Sequence, residues 1–367
     1  HHKTAGNPFF LSQFLHNLYD EGLVRFDPAA GTWRWDEELI CESGITDNVA
    51  DLLARKFDTL PEETRRLLSI GACIGGRFDL DTLSTIADRA PEETAKGLWD
   101  ALKEEMIAAS DDSYGSDPAV GRTTSYRFIH DNVYQSITAR LDPDERKRLN
   151  LRIGRLFADE MRASGRDTMI FDVVNHINFG VDLIEDPDER QRLAELNLQA
   201  EKKAKNSAAY RAAYNYASTG LSLLAPDAWT SAYRLALTLH VEAAESAYLC
   251  MDFETMERLT GTVIAQARSI IDAVDAYDVM IRSLITQNRI DEAVETGSTV
   301  LRKLGASIPD VRRIGTVTIL RYLIRVKLRL FRKNFEELSS FRDMTDPRVR
   351  SVIRIIYVFA GVVGRIY

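Results

Sequence analysis

The chain has 367 residues, of which 45% are hydrophobic and 28% are charged, a balance that excludes a disordered or fibrous protein and allows two or three domains or one repeat array. Lys and Arg number 47 against 55 Asp and Glu, a formal charge of -8, which disfavours general binding to nucleic acid or anionic membrane. Three widely spaced cysteines, Cys41, Cys73 and Cys250, exclude a disulfide framework and a CxxC metal site, so a reducing, cytoplasmic compartment is predicted.

The first 45 residues predict a helix followed by a β-hairpin. Asn7-Pro8 supplies a cap residue and a first-turn proline, and apolar residues follow at helical spacing. Two short alternating runs, Leu23 to Phe26 and Thr32 to Trp35, are separated by a turn sequence that contains Pro28 and Gly31. This pattern is typical of a hairpin with a longer turn.

Residues 46–141 predict a winged-helix domain. Helix starts are predicted at Thr46-Asp47, at Pro61, at Asp79 and at Pro91, and the last of these helices is predicted to reach Ala108. A polar stretch then leads to an alternating strand, Tyr126 to Ile129, and to a helix from about His130 to Arg140. Helices followed by strand, loop and strand give the element order of a winged helix.

Residues 142–367 predict an all-α array that the chain truncates at its C-terminus. The pattern is almost entirely helical from Pro143 onward, and Phe253 and Ile290 begin similar helices 37 residues apart. A looser copy starts at Tyr210. The period is close to that of tetratricopeptide (TPR) helix pairs, so we expect a TPR-like α-solenoid that offers a face to a protein partner. The predicted fold class is therefore mainly α.

Motifs for catalysis and phosphate binding are missing from the sequence. Gly71-Ala72-Cys73-Ile74-Gly75-Gly76-Arg77-Phe78 copies the glycine spacing of a phosphate loop, but Arg and Phe stand where Lys and Ser/Thr are needed. Helix termination explains these glycines. The six histidines are scattered, and no HExxH or GxSxG occurs. No catalytic residue and no metal ligand is predicted within this chain.

The string Lys3-Thr4-Ala5-Gly6-Asn7-Pro8-Phe9-Phe10-Leu11 is the most specific in the sequence. It resembles the GNPFF element of the STAND class of signalling ATPases, where it opens a helix of the lid subdomain and its proline packs beside the adenine. The resemblance implies that Gly6, Asn7 and Pro8 contribute to a nucleotide site, and that residues 1–45 are the C-terminal end of an ATPase lid subdomain plus the hairpin. On physical grounds alone, the string is a capped helix.

A second string, Phe128-Ile129-His130-Asp131-Asn132-Val133-Tyr134, looks like the MHD element in the winged helix of the same class. There the histidine reaches the β-phosphate of bound ADP and holds the protein closed. Ile129 replaces the methionine, and Pro8 and His130 lie 122 residues apart, a separation similar to that in the family. The resemblance implies that His130 and Asp131 belong to the nucleotide site. Spacing alone favours a helix cap with a partly buried imidazole.

The resemblance extends to nearly the whole chain. Strings such as Ile45 to Leu52, Asn197 to Ala200, Lys202 to Lys205 and Leu239 to Glu245 look like the region after the ATPase in large bacterial proteins. Those proteins combine a serine/threonine-kinase-like domain, a STAND ATPase, a GAF domain and a histidine kinase. This implies a regulatory arm whose partners are an upstream nucleotide-binding domain that holds ATP or ADP with Mg, and downstream GAF and histidine-kinase domains. The parent would be an ATPase and a kinase.

The sequence is compatible with three kinds of protein. The chain starts at His1 without Met and stops within an apolar helical pattern, so we expect a piece of a longer polypeptide. It is either an arm of a nucleotide switch, a nucleotide-independent scaffold, or part of a LuxR-type STAND transcription regulator. The helix predicted from Pro91 to Ala108 has five acids and two lysines, which disfavours DNA binding. The basic segment Arg302 to Lys333 reads as a solvated helix face or as a partner surface.

Overall fold

The structure is a computed structural model that describes residues 15, 18–19, 22–42, 56–110, 124–165, 167–306, 324 and 344–366. The chain divides into two compact units. The first comprises His1–Gly165 with Asn175–Leu183, and the second comprises Arg166–Val174 with Ile184–Tyr367. The first unit extends past residue 141, where the sequence places the end of the winged helix, so the predicted domain boundaries stay a prediction.

The predicted hairpin is present near the start of the first unit. Strand β1 (Val24–Asp27) pairs antiparallel with β2 (Thr32–Trp35), and helix α1 (Glu37–Glu42) follows. The Asp27 carboxylate accepts hydrogen bonds from the amides of Ala29 and Ala30, and Gly31 takes a positive φ of 63°. The turn therefore forms because an aspartate caps it and a glycine tolerates its left-handed position. Trp33 packs edge-on against the Phe26 ring, with centroids 5.3 Å apart.

A second, three-stranded antiparallel sheet lies among the helices of the first unit. The strands are β3 (Arg77–Asp79), β4 (Ile107–Ser110) and β5 (Ser125–Phe128), and β5 is central in the order β3-β5-β4. The helices of this unit are α2 (Glu62–Ile74), α3 (Leu80–Ala87), α4 (Pro91–Gly97), α5 (Trp99–Lys103), α6 (Asp131–Arg140) and α7 (Pro143–Ser164). Helix α8 (Ile170–Phe179) is divided between the two units after Val174. The observed order is helix, strand, helices, strand, strand; the assignment of residues 46–141 to a winged-helix domain stays a prediction.

Aromatic side chains form the centre of this unit. Phe78 is 3% exposed, and its ring lies 5.9 Å from Tyr126 and 5.6 Å from Phe128 between centroids. Gly71 of α2 makes room for the Phe78 ring, since a Cβ there would lie 2.8 Å from a ring carbon. The glycine is therefore a packing requirement, and α2 ends at Gly75 with a φ of 150°. Helix termination is thus confirmed for Gly75, whereas Gly71 lies inside the helix and is explained by packing.

The helix predicted from Pro91 to Ala108 is wrong. Two short helices occupy its first part, and its last residues form β4, which pairs with β5. Glu105 has a left-handed φ of 54°, which stops the helix although Glu is a good helix former. The sequence also missed strand β3, a three-residue segment too short to show alternation. Residues of β3 and β4 are extended because both strands pair with β5, and not because of their local propensity.

The second unit consists of helices that pack as antiparallel pairs. They are α9 (Pro187–Asn206), α10 (Tyr210–Leu223), the short α11 (Ala228–Ser231), α12 (Tyr233–Leu249), α13 (Phe253–Gln266), α14 (Ile270–Thr286), α15 (Ile290–Lys303) and α16 (Pro347–Ile366). Each of α9–α10, α12–α13 and α14–α15 is a pair, and the first helices of neighbouring pairs also contact one another. This is a helical solenoid, as the mainly α fold class predicts.

The same turn joins the two helices of every pair. Ala208, Met251 and Asn288 each adopt a left-handed φ near 60°, two residues before the second helix begins. The next residue donates its amide to the carbonyl five residues earlier, at 2.8–2.9 Å, in all three turns. The repeat inferred from Tyr210, Phe253 and Ile290 is therefore confirmed at the level of backbone geometry.

Within the described ranges, no helix is both long and apolar enough to cross a lipid bilayer. Residues 307–323 and 325–343, which contain most of the basic segment Arg302 to Lys333, lie outside the described residues.

Candidate functional site

The residues predicted for the nucleotide site divide into two groups. Gly6, Asn7 and Pro8 lie outside the described residues. His130 and Asp131 are described, and they stand where β5 ends and α6 begins. The structure therefore shows the geometry of one half of the predicted site.

His130 is the N-cap residue of α6. Its backbone is extended, with φ -145° and ψ 148°, and its Nδ1 accepts a hydrogen bond from the amide of Asn132 at 3.2 Å. An imidazole nitrogen that accepts carries no proton, so the ring proton of the neutral side chain lies on Nε2. The ring is half-buried and Asp131 is exposed. The helix cap that spacing alone predicts is thus present.

Backbone hydrogen bonds fix the position of this cap. The amide of Phe128 donates to the carbonyl of Gly76 at 2.9 Å, and the amide of Ile129 donates to the carbonyl of Met106 at 3.1 Å. Phe128 is buried and its ring lies 6.0 Å from the Tyr134 ring between centroids. His130 therefore sits on a rigid junction between the sheet and α6.

Cys73 is buried close to this region, on α2. Burial raises the pKa of the Cys73 thiol to about 11, although Arg146 opposes the change. A thiol in this state is a poor nucleophile at neutral pH. Cys73 is a core residue of α2.

The second unit contains an ion-pair network that the sequence analysis did not predict. The network runs across the first helices of the three pairs and onto α16, and its members are Glu201, Lys205, Glu242, Glu245, Asp278, Arg282 and Arg354. It links α9 to α12, α12 to α14 and α14 to α16. Successive repeat pairs are therefore joined by charge as well as by apolar packing.

Lys205 is the centre of one half of the network. Its Nζ contacts Glu242, lies 2.9 Å from a carboxylate oxygen of Glu245 and lies 3.5 Å from Glu201. The lysine side chain is 18% exposed. Its hydrogen bonds to Glu242 and Glu245 raise its pKa despite burial. Lys205 is therefore a permanent cation at physiological pH.

Arg282 is the centre of the other half. It lies 2.8 Å from Glu245 and 3.0 Å from Asp278, and Asp278 also contacts Arg354 of α16 at 3.2 Å. Hydrogen bonds to Lys205 and Arg282 lower the pKa of Glu245, so this carboxylate is ionised and shared between two cations. Glu245 thus connects the two halves.

Glu201 is the most buried member, with no exposed surface. One carboxylate oxygen accepts a hydrogen bond from the Ser246 hydroxyl at 2.9 Å, and the other has no partner within the described structure. Burial, aided by the nearby Glu242 carboxylate, raises the pKa of Glu201 to about 7. A carboxyl group that titrates at this pH changes the charge of the network under mild conditions.

A repeat alignment contains part of the signal for this network. Lys202, Glu245 and Arg282 occupy equivalent positions in the first helix of each pair. The charge at this position is therefore positive, negative and positive along the stack. Glu201 and Lys205 are four positions apart on α9, but their other partners lie on α12 and are not predictable from the sequence of α9. No group of His, Cys, Asp and Glu among the described residues is arranged to hold a metal ion.

Comparison with known proteins gives a curated relative and a solved structure. The relative is "Hybrid signal transduction histidine kinase G" of Dictyostelium discoideum, which is 26% identical over an alignment of 366 residues that takes in 86% of this chain. The chain spans about 11% of that protein's length. No family model matches the sequence.

The solved structure is that of a "Signal Transduction ATPase with Numerous Domains (STAND) protein with a tetratricopeptide repeat sensor" from Pyrococcus horikoshii. It is 15% identical, the match covers 85% of this chain and 47% of the other, and the TM-score is 0.32. A score of this size is too low to support an inference about this chain.

Proposed function

We propose that the chain is a regulatory arm of a signal-transduction protein, and that it responds to the nucleotide held by a neighbouring ATPase domain. Support comes from the similarity to a hybrid signal transduction histidine kinase. The observation that carries the nucleotide part is the fixed position of His130 at the start of α6. The repeats would receive the stimulus or contact a partner protein.

The ring of His130 has the chemistry that a phosphate requires. Because Nδ1 accepts from the Asn132 amide, the neutral ring presents its N–H at Nε2, and a phosphate oxygen is an acceptor. The N-terminus of a ten-residue helix also favours a nearby anion. Within the proposal, Pro8 lies beside the adenine of ADP and His130 contacts the β-phosphate. The upstream domain supplies the phosphate loop and the Mg ligands.

Nucleotide exchange would then release the arm. If His130 contacts ADP only in the closed state, ADP favours that state by the free energy of this contact. ATP, which binds the two states differently, would shift the equilibrium towards the open state. GAF and histidine-kinase domains downstream, a serine/threonine-kinase-like domain and a bacterial origin are parts of this proposal that stay predictions.

The test measures ADP affinity by calorimetry in the protein that includes the upstream domain. His130→Ala removes both the imidazole and the helix cap, whereas His130→Asn keeps a capping side chain. If His130 binds phosphate, both variants weaken ADP binding about tenfold or more, the effect expected for one lost hydrogen bond to a charged group. If only the alanine variant weakens binding, the residue is a cap and the sensor role is wrong.

A second candidate is a scaffold that needs no nucleotide, and the ion-pair network favours it. The network joins α9, α12, α14 and α16. A partner that binds one helix pair would therefore affect the neighbouring pairs without any nucleotide. Clean absence of ADP binding in the longer protein supports this candidate. Calorimetry with ADP therefore separates the two functions.

A further inference from the structure

One linker between the helix pairs is longer than its counterpart. Residues 267–269 join α13 to α14, whereas residues 224–232 join α10 to α12. The left-handed turn residues show the same difference, because Ala208 and Met251 are 43 positions apart while Met251 and Asn288 are 37 apart. The six additional residues of the first repeat therefore lie in this linker, which contains the short helix α11 and Trp229.

The longer linker forms one wall of a cavity. The cavity has a volume of about 470 Å³ and lies among α10, α12, α13 and the linker. Its lining includes the side chains of Tyr214, Ser218, Trp229, His240, Thr255 and Arg258. Its size is in the range of small-molecule sites in proteins. Insertions into one repeat frequently mark a binding face of solenoid proteins.

Contacts outside the cavity hold the Trp229 ring in place. The indole ring is packed edge-on against the Tyr233 ring, with centroids 6.0 Å apart. The Arg268 guanidinium donates a hydrogen bond to the backbone carbonyl of Trp229 at 3.4 Å. Arg268 in turn stacks 4.0 Å above the Tyr233 ring. On its other side, Trp229 lies 4.9 Å from the His240 ring between centroids. The indole is thus a preorganised aromatic wall.

The polar groups of the cavity include a cation without a counter-charge. Among the described residues, Arg258 makes no ion pair, whereas Arg282, Arg289 and Arg354 all do. His240 donates from Nδ1 to the carbonyl of Ala236 at 2.8 Å, since a carbonyl only accepts. Burial and the nearby Arg258 guanidinium lower the pKa of His240, so its ring is neutral at pH 7. The cavity therefore has one net positive charge beside aromatic rings.

We propose that this cavity binds a small aromatic acid, whose ring lies against Trp229 and whose carboxylate or phosphate group pairs with Arg258. A guanidinium binds either anion through two parallel hydrogen bonds, which is why the two acids share one chemistry here. Ser218 and Thr255 add hydroxyl groups for orientation. The site does not depend on the nucleotide switch, and it would make the repeats a receptor for a small molecule.

The test uses the 367-residue chain labelled with 5-fluorotryptophan, followed by ¹⁹F NMR. The chain has four tryptophans, and Trp229→Phe identifies the resonance of interest. The probes are 1-naphthoate, 1-naphthyl phosphate and the neutral 1-naphthalenemethanol. We expect at least one anion to shift the Trp229 resonance in a saturable manner and the alcohol to bind about tenfold or more weakly. The anion that binds more tightly identifies the acid group.

Arg258→Gln and Arg234→Gln form a matched pair of variants. Both arginines are exposed, but Arg234 does not line the cavity. Arg258→Gln is expected to raise the Kd of the anion about tenfold or more, and Arg234→Gln is expected to leave it unchanged. The proposal is overturned if neither anion shifts the Trp229 resonance, if the alcohol binds equally well, or if Arg258→Gln has no effect on Kd.

Discussion

The two units hold their helices together by different means. In the first, a few large rings, Phe78, Tyr126 and Phe128, fill the space between the sheet and α2. In the second, helices touch through small residues such as Ala243 and Ala247, and buried charges join one pair to the next. The first unit therefore places rings among fully buried aliphatic side chains such as Leu67 and Leu68, whereas the second unit adds charge links between successive helix pairs.

Removing one ring from the first unit is expected to have the largest effect. Phe78→Ala leaves a cavity between α2 and the sheet, and comparable changes cost about 3–5 kcal/mol. Unfolding followed by hydrogen exchange should show lost protection in α2 and β5, with the repeats still protected. Trp99→Ala is the control, because this side chain is 69% exposed. Equal losses in the two variants would contradict a core role for Phe78.

The corresponding change in the second unit is Lys205→Met. It keeps the apolar stem but leaves Glu201, Glu242 and Glu245 without their shared cation. Removing one partner of a largely buried network costs about 3 kcal/mol or more. Urea unfolding at pH 7 measures this loss.

Lys202→Met is the matched control, since that lysine is 49% exposed and 3.9 Å from Glu242. Exposed pairs contribute about 0–1 kcal/mol. If the two lysine variants were equally stable, the network would be a surface feature without a role in joining the pairs.

Glu201 gives the network a dependence on pH. The pKa of its carboxyl group is about 7 in the folded chain, against 4.5 without burial. The folded state therefore holds the proton more tightly, and this group's contribution is fully present below about pH 4.5 and is lost as pH rises through 7. Glu201→Gln should remove the loss, which we expect to amount to about 2 kcal/mol.

The measurement is the free energy of unfolding of both proteins between pH 5 and pH 8. The variant should become the more stable of the two as pH increases. A constant difference across this range would show that Glu201 does not titrate there. The Ser246 hydroxyl, which donates to Glu201, keeps an acceptor when Gln replaces Glu, so the comparison isolates the charge.

Sequence reasoning succeeded where structure is local. The hairpin followed from its turn residues, α6 followed from the cap position at His130, and the repeat followed from similar helix starts. It failed where partners are distant in sequence. The helix predicted from Pro91 was extended to Ala108, into the first half of β4, and only pairing with β5 makes residues 107–110 extended.

The candidate sites divide in the same way. His130 and Asp131 were found from a contiguous string, and the cap geometry followed from the sequence. The ion-pair network and the cavity beside Trp229 are assembled from residues far apart along the chain, with a separation of 40 positions for Lys205 and Glu245 and of 76 for Asp278 and Arg354. The sequence analysis did not identify the insertion of six residues in one repeat, and its meaning depends on which helices the linker covers.

The smallest expected effect concerns the turns that make the second unit regular. Ala208 and Met251 have a left-handed backbone, which costs a residue with a Cβ about 1–2 kcal/mol, whereas Asn tolerates it better at position 288. Met251 is 69% exposed, so replacing it by Gly loses no buried contact. Because the entropy of Gly in the unfolded chain offsets part of the gain, Met251→Gly and Ala208→Gly should each add about 0.5–1 kcal/mol to the free energy of unfolding, and Asn288→Gly about zero. The test is urea unfolding of the three variants, provided that the dependence of the free energy of unfolding on urea concentration is the same in all of them. Equal changes in the free energy of unfolding at all three positions would mean that the strain lies elsewhere in the turn.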